Sequence, residues 1–152
     1  MKPLIVLLAV FALCLGITAL AGNADINLSG RIAMSAMLSF TAMGHFKFPG
    51  GMAMMMPPFI PAKKQIVLLT GVIEVLAAIG LLVSSSLRIT GILLIVFFLL
   101  ILPANIYAAI KKVNLEKADH SGNGISYLWF RVPEQIFFIA WVYYFTINVS
   151  SG

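Results

Sequence analysis

The sequence predicts an all-α membrane protein, a polytopic transmembrane helical bundle, on three observations. Apolar residues make up 61% of its 152 residues and charged residues only 10%, against roughly 45–50% and about 25% in an ordinary soluble domain. The mean hydropathy is +1.05. The apolar residues are gathered into runs close to the about 20 residues that a helix needs to cross the hydrocarbon. These runs lack the period-two alternation of a barrel strand. Backbone in lipid must satisfy its own hydrogen bonds, which leaves helix as their state.

The first run, residues 3–21, carries no charge. Lys2, an apolar stretch and Ala19-Leu20-Ala21 also match a secretory signal peptide. A single basic side chain ahead of so long a run favours an uncleaved helix. Ile32–Phe46 is short, but Ile26–Arg31 can extend it, giving a span over 28–46. The third span, 65–83, contains one charge, Glu74. The fourth covers 88–110, and from Ile89 onward it has no charge. The fifth covers 127–148 and holds Arg131 and Glu134 near its start. Gly22–Gly30 is a polar connection, Ser84-Ser85-Ser86 a tight turn, and Lys111–Gly124 the charged loop. The connections leave no room for a soluble domain, so residues 1–152 read as one membrane domain.

The net charge is +5 and the pI about 9.6. Nucleic acid is not the expected partner, because the basic residues stand between apolar runs, where orientation signals belong. With five spans, Lys2, Lys47, Lys63, Lys64, Lys111, Lys112, Lys117 and Arg131 fall on one side, and Arg31 and Arg88 on the other. That bias predicts a cytoplasmic N-terminus and an external C-terminus. Cys14 is the single cysteine, so dithiol redox chemistry by this chain alone is excluded.

Polar residues at membrane depth are candidate functional groups. Glu74 lies near the middle of its span, where a carboxylate costs about 2.5–3.5 kcal/mol on insertion scales. It must therefore face the bundle. Thr70, Gly71, Ala77 and Ala78 share its helical face and suit a close helix contact. Asn105 follows Pro103, which frees a carbonyl one turn earlier; a structural network is the expected role. Arg131 and Glu134 are three apart and can pair, within an interfacial belt of Tyr127, Trp129 and Phe130. His45 ends the second span, and the other histidine, His120, is in a loop. Two separated histidines give no pattern for haem or zinc. No metal and no cofactor is therefore expected.

Met43–Lys64 has an unusual composition for a connection. Met52, Met55, Met56 and Phe59 fall at helix-compatible spacing, which predicts an interfacial segment over 50–60 with a short helix whose apolar face dips into the headgroups. Pro57, Pro58 and Pro61 would end it, and Lys47, Lys63 and Lys64 would hold its flanks at the cytoplasmic surface. The alternative is a lid near His45, with these four residues touching a flexible apolar ligand.

Gly44-His45-Phe46 closing an apolar run, Pro57-Pro58, Gly71-x-x-Glu74, Pro103-Ala104-Asn105 and WFRVPEQ form a spaced set along the chain. Together they resemble the DoxX-like family of small bacterial integral membrane proteins, from about Arg31 to Thr146. The resemblance implies a four-helix DoxX-like core, with residues 3–21 as an added N-terminal helix. It implies the bacterial inner membrane, and Glu74, Asn105, His45 and Arg131 as a ligand or proton site. It further implies an accessory subunit associated with quinone-linked membrane redox processes, not an enzyme on its own. A membrane oxidoreductase partner or a quinone, the lipid bilayer and a possible homo-oligomer are the expected partners. Two other readings compete. One is a membrane-protein assembly or interaction factor whose polar core is structural. The other is a small-solute transporter, compatible with an intramembrane carboxylate and a Pro-kinked helix but without an inverted repeat.

Overall fold

Each apolar run folds as a helix. The computed structural model describes residues 2–114, 117, 119–122 and 124–148. Leu115, Glu116, Ala118 and Asn123 of the charged loop lie outside the described residues, as does Val149. The helices are α1 (Lys2–Leu20), α2 (Ile26–Lys47), a short α3 (Pro49–Ala53), α4 (Lys63–Gly80), α5 (Leu87–Ile110) and α6 (Leu128–Val142). The last helix continues as a π-helix over Tyr143–Asn148. Single 3-10 turns, Ser84–Ser86 and Ile125–Tyr127, precede α5 and α6. Among the described residues there is no strand, and Asn114 and Asp119 form an isolated bridge within the charged loop.

Local chemistry sets the boundaries. The Asp25 carboxylate accepts from the Leu28 amide at 2.9 Å and so caps α2. Pro49 begins α3, where a missing amide hydrogen is tolerated. Pro103 stays inside α5 without ending it. Two stretches are long and apolar enough to cross a membrane, Lys2–Leu20 and Ser84–Ile110. The other helices are more polar or shorter. Arg31, His45, Lys47 and several hydroxyl residues dilute α2, while α4 includes Lys63, Lys64 and Glu74. The α-helical part of α6 is 15 residues long.

Side-chain contacts give the helix directions. Ser35 Oγ donates to the Ala78 carbonyl at 2.8 Å, and His45 lies against Gly71, so α2 and α4 are antiparallel. Phe98 meets Phe138 at 5.9 Å and Gly91 meets Thr146, so α5 and α6 are antiparallel. Phe11 on α1 meets Trp141 edge-on at 4.9 Å. Trp141 Nε1 donates to the Gly30 carbonyl at 3.1 Å, tying α6 to α2. Gly30 is required there, because a methyl group on it would lie 2.5 Å from the Phe145 ring. Leu7, Leu38, Leu81, Leu94, Phe98 and Phe138 then belong to one continuous core drawn from all five long runs.

The distribution of polarity is the reverse of a soluble bundle. Leu69, Leu76, Ile79, Leu93, Leu100 and Ile136 face outward, whereas Ser35, Glu74, Asn105, Glu134, Gln135 and Thr146 are buried. The contrast is sharpest on α4, where Leu76 is 62% exposed and Glu74, two residues earlier, is 4% exposed. Soluble monomers rarely expose apolar patches beyond a few hundred Å².

Trp141→Phe removes the Trp141–Gly30 hydrogen bond while keeping the aromatic contacts. It is expected to lower stability by about 1 kcal/mol. Thermal unfolding in detergent, followed by circular dichroism, should show a lower midpoint with unchanged helical content.

Candidate functional site

Close approach of α2 to α4 builds the site. A methyl group on Gly71 would lie 2.8 Å from His45 Cβ and 3.1 Å from the Phe46 ring. Only hydrogen at this position lets the end of α2 sit on α4. The buried face of α4 is narrow: Val67, Gly71, Glu74 and Ala78 are buried, and the larger apolar residues between them are exposed. His45 therefore arrives on the small-residue face that presents Glu74, one turn further along.

His45 Nε2 lies 3.3 Å from Glu74 Oε2, at ion-pair distance but without the alignment of a hydrogen bond. On the other side of the ring, Nδ1 is 3.0 Å from the Val67 carbonyl and 2.9 Å from Thr70 Oγ1. Thr70 Oγ1 itself donates to the same carbonyl at 2.7 Å. A carbonyl can only accept, so this geometry assigns the hydrogen to Nδ1. A neutral ring would then turn its bare Nε2 lone pair toward a carboxylate. A proton on Nε2 would make the contact favourable. The cluster thus brings an imidazole nitrogen and a carboxylate oxygen together in a largely buried setting.

The other sequence candidates do not join this pair by a hydrogen bond or ion pair among the described residues. Arg131 turns to Glu134, its Nη1 donating to Oε2 at 2.8 Å. The second oxygen of Glu134, Oε1, is buried and has no hydrogen-bond partner. Asn105 is buried, but its Nδ2 makes no hydrogen bond. The network expected at the carbonyl freed by Pro103 therefore does not use that donor. Gln135, next to Glu134, is buried with its Oε1 unpartnered. The α5–α6 register set by Phe98–Phe138 and Gly91–Thr146 places Asn105 level with Arg131, within a turn of Glu134 and Gln135. A second polar layer thus lies between α5 and α6. Sequence reading treated Glu134 only as a partner for Arg131 and missed Gln135. The i, i+3 and i+7 spacing of Gln135, Phe138 and Val142, which all face the core, was the available signal.

The segment after α2 contains one short helix. The helix is limited to Pro49–Ala53, and Met54–Met56 make a turn and bend. The residue before a proline is driven away from the helical region, so Pro57 stops the helix upstream of itself. Of Met52, Met55, Met56 and Phe59, only Met52 lies within this helix. Met52 folds under α2, its Cε 3.2 Å from where a methyl group on Gly44 would stand. Met55 and Met56 are half-buried, and Phe59 projects outward. Gly51 and Ala53 are buried. His45 sits beside Gly71, about two turns above Lys63, so residues 48–62 descend along the first turns of α4. Ala62 closes the descent in the left-handed region, at φ 51°.

A family model described as Domain of unknown function (DUF8561) matches residues 34–146. The chain belongs to the DUF8561 family. The matched stretch contains His45, Thr70, Glu74, Asn105, Arg131, Glu134 and Gln135, and it leaves α1 outside. No curated protein and no solved structure matches the chain significantly.

In this DUF8561 member, His45→Ala strands Glu74 in the interior and is expected to cost about 3–5 kcal/mol. The double change His45→Leu with Glu74→Leu removes both polar groups and should recover most of that loss. Thermal unfolding of the two variants in detergent checks both statements. Gly71→Ala is expected to cost about 1–3 kcal/mol, since α2 must be displaced to admit the methyl group.

Proposed function

We propose that this protein is a multi-pass, DoxX-like subunit of the bacterial inner membrane. In this reading it serves a quinone-linked redox process and handles a proton at the His45–Glu74 pair. The single observation that carries the reading is that pair, 3.3 Å apart, with Nδ1 of the histidine occupied by Val67 and Thr70. Interconversion of a quinone and a quinol moves protons together with electrons. A group that stores one proton among apolar helices meets the protonic half of that requirement. The chain has one cysteine and two histidines, so the electron donor is assigned to a partner oxidoreductase.

The membrane part of the reading draws on the apolar outer surface and on the two helices of spanning length. It also draws on the ends of the bundle. With the helix directions given above, Lys2, Lys47, Lys63, Lys64, Lys111, Lys112 and Arg131 fall toward one end and Arg31 and Arg88 toward the other. The positive end is assigned to the cytoplasm. The polar α2, α4 and α6 are then carried across by mutual burial of their polar faces, as in other bundles with intramembrane polar groups.

Two measurements test the proposal. In a Cys14→Ser background, single cysteines at Asn23 and Ser85 should react with a membrane-impermeant maleimide from outside intact cells, and one at Lys117 should not. The reverse pattern, or labelling of all three, overturns the assigned topology. Glu74→Gln should keep the folded protein but abolish quinone-linked activity in membranes. Unchanged activity with folded protein rejects the proton-handling role. Loss of folded protein would place the pair among structural contacts and favour the assembly-factor reading.

A further inference from the structure

The two ends of the bundle differ in what separates them from the His45–Glu74 pair. His45 is the outer member, its side chain 16% exposed against 5% for Glu74. Lys47 follows it by two residues, a helix rise of about 3 Å. Lys47 is exposed, lies over the Phe48 ring at 5.4 Å and forms no ion pair among the described residues. An unpaired ammonium between apolar helices must be hydrated, so water reaches the level of His45 from the basic end. The opposite direction is dry. Beyond Glu74, Ala78 and Leu81 of α4 and Met34 and Leu38 of α2 belong to the apolar core, each at most 4% exposed. Ser35 is the polar residue among them, and its buried hydroxyl is committed to the Ala78 carbonyl at 2.8 Å. The next charged residue of α2 in that direction is Arg31, about 21 Å of helix from His45.

We infer that the His45–Glu74 pair exchanges protons with the basic end of the bundle alone, through His45, and that the apolar layer of Met34, Leu38, Ala78 and Leu81 closes it to the other end. The inference rests on the proton-handling reading and specifies the side from which the proton comes. Nδ1 of His45 keeps its hydrogen on the Val67 carbonyl, so Nε2, 3.3 Å from Glu74 Oε2, is the nitrogen that takes up and yields the exchanging proton. No other titratable group intervenes. On α2 and α4 these are Arg31, Lys47, Lys63 and Lys64. The elements packed on them contribute Lys2 and Cys14 of α1, Arg88 and Tyr107 of α5, and Tyr143 and Tyr144 of the terminal π-helix, while α3 has none. None of these forms a hydrogen bond or ion pair with His45 or Glu74 among the described residues. One-sided exchange suits a reaction at one membrane face. It is incompatible with proton-coupled transport, which needs access from the two faces in turn.

The test uses the full chain in inside-out and right-side-out membrane vesicles, treated with dicyclohexylcarbodiimide, which enters lipid and reacts with protonated carboxyls. A cysteine at Lys117 marks which vesicles expose the basic end. The adduct is read by mass spectrometry on the tryptic peptide Gln65–Arg88, in which Glu74 is the one carboxyl side chain; Glu74→Gln should show none. With the lumen held at about pH 8, the medium is stepped from about pH 8 to about pH 6, the range in which histidine changes charge. Labelling is expected to rise where the basic end faces the medium, by up to the about tenfold per pH unit that one titrating group allows. It should stay constant where the basic end faces the lumen. A rise in the second kind of vesicle, alone or equally, overturns one-sided exchange and leaves proton handling at the pair intact. Labelling that is absent, or that answers to neither medium, rejects both. A second measurement is independent of the carbodiimide. In the Cys14→Ser background, Lys47→Cys should react with a membrane-impermeant maleimide from the basic side only, and the nearly isosteric Ser35→Cys from neither side. An unreactive Lys47→Cys, or a Ser35→Cys that reacts from the opposite side, overturns the inference.

Discussion

A carboxylate placed in the middle of an apolar helix must either meet a partner or leave its charge unsolvated, and this requirement organises the α2–α4 half of the bundle. Glu74 is met by His45. His45 can reach it only because Gly71 has no side chain. The α2 helix therefore ends beside Gly71, about two turns inside the start of α4. The chain must then descend through residues 48–62 before α4 can begin. Three features that look separate in sequence are thus consequences of one desolvation cost. They are a histidine at a helix end, a glycine three residues before a glutamate, and a Met- and Pro-rich connection.

The α5–α6 half solves a similar problem less completely. Arg131 answers one oxygen of Glu134, but Glu134 Oε1, Gln135 Oε1 and Asn105 Nδ2 remain without hydrogen bonds. Buried polar groups are nearly always satisfied in folded proteins, and Glu74 Oε2 in the other half is likewise without a hydrogen bond. The α5–α6 layer stands at the basic end, beside a groove between α1 and α6. The bundle thus has two buried polar sites, a histidine–carboxylate contact between α2 and α4 and an arginine–carboxylate pair on α6.

Much of the fold was legible in the sequence. The five apolar runs became helices close to the expected limits, and the Arg131–Glu134 pair follows from a spacing of three. The site was legible in part. Glu74 stood out because a lone charge at the centre of a span has few explanations. Its partner did not, because His45 is 29 residues away along the chain and a histidine at a helix end has many ordinary roles. Gln135 was passed over because an uncharged amide beside a charged pair draws little attention. The short helix before Pro57 stops at Ala53 for a local reason: Pro57 constrains Met56 away from helix, and that restraint outweighs helical periodicity in so short a segment.

The sequence by itself determined the all-helical class, the order of the helices and the need for Glu74 to face inward, because hydropathy and desolvation are properties of residue types and their spacing. Only the tertiary structure decided which groups meet. The tautomer of His45, the choice of Glu134 over Glu74 by Arg131, and the donor and acceptors left open between α5 and α6 depend on helix crossing points. Those crossing points are set by where Gly30 and Gly71 allow backbones to touch, a three-dimensional outcome that spacing along one chain does not encode.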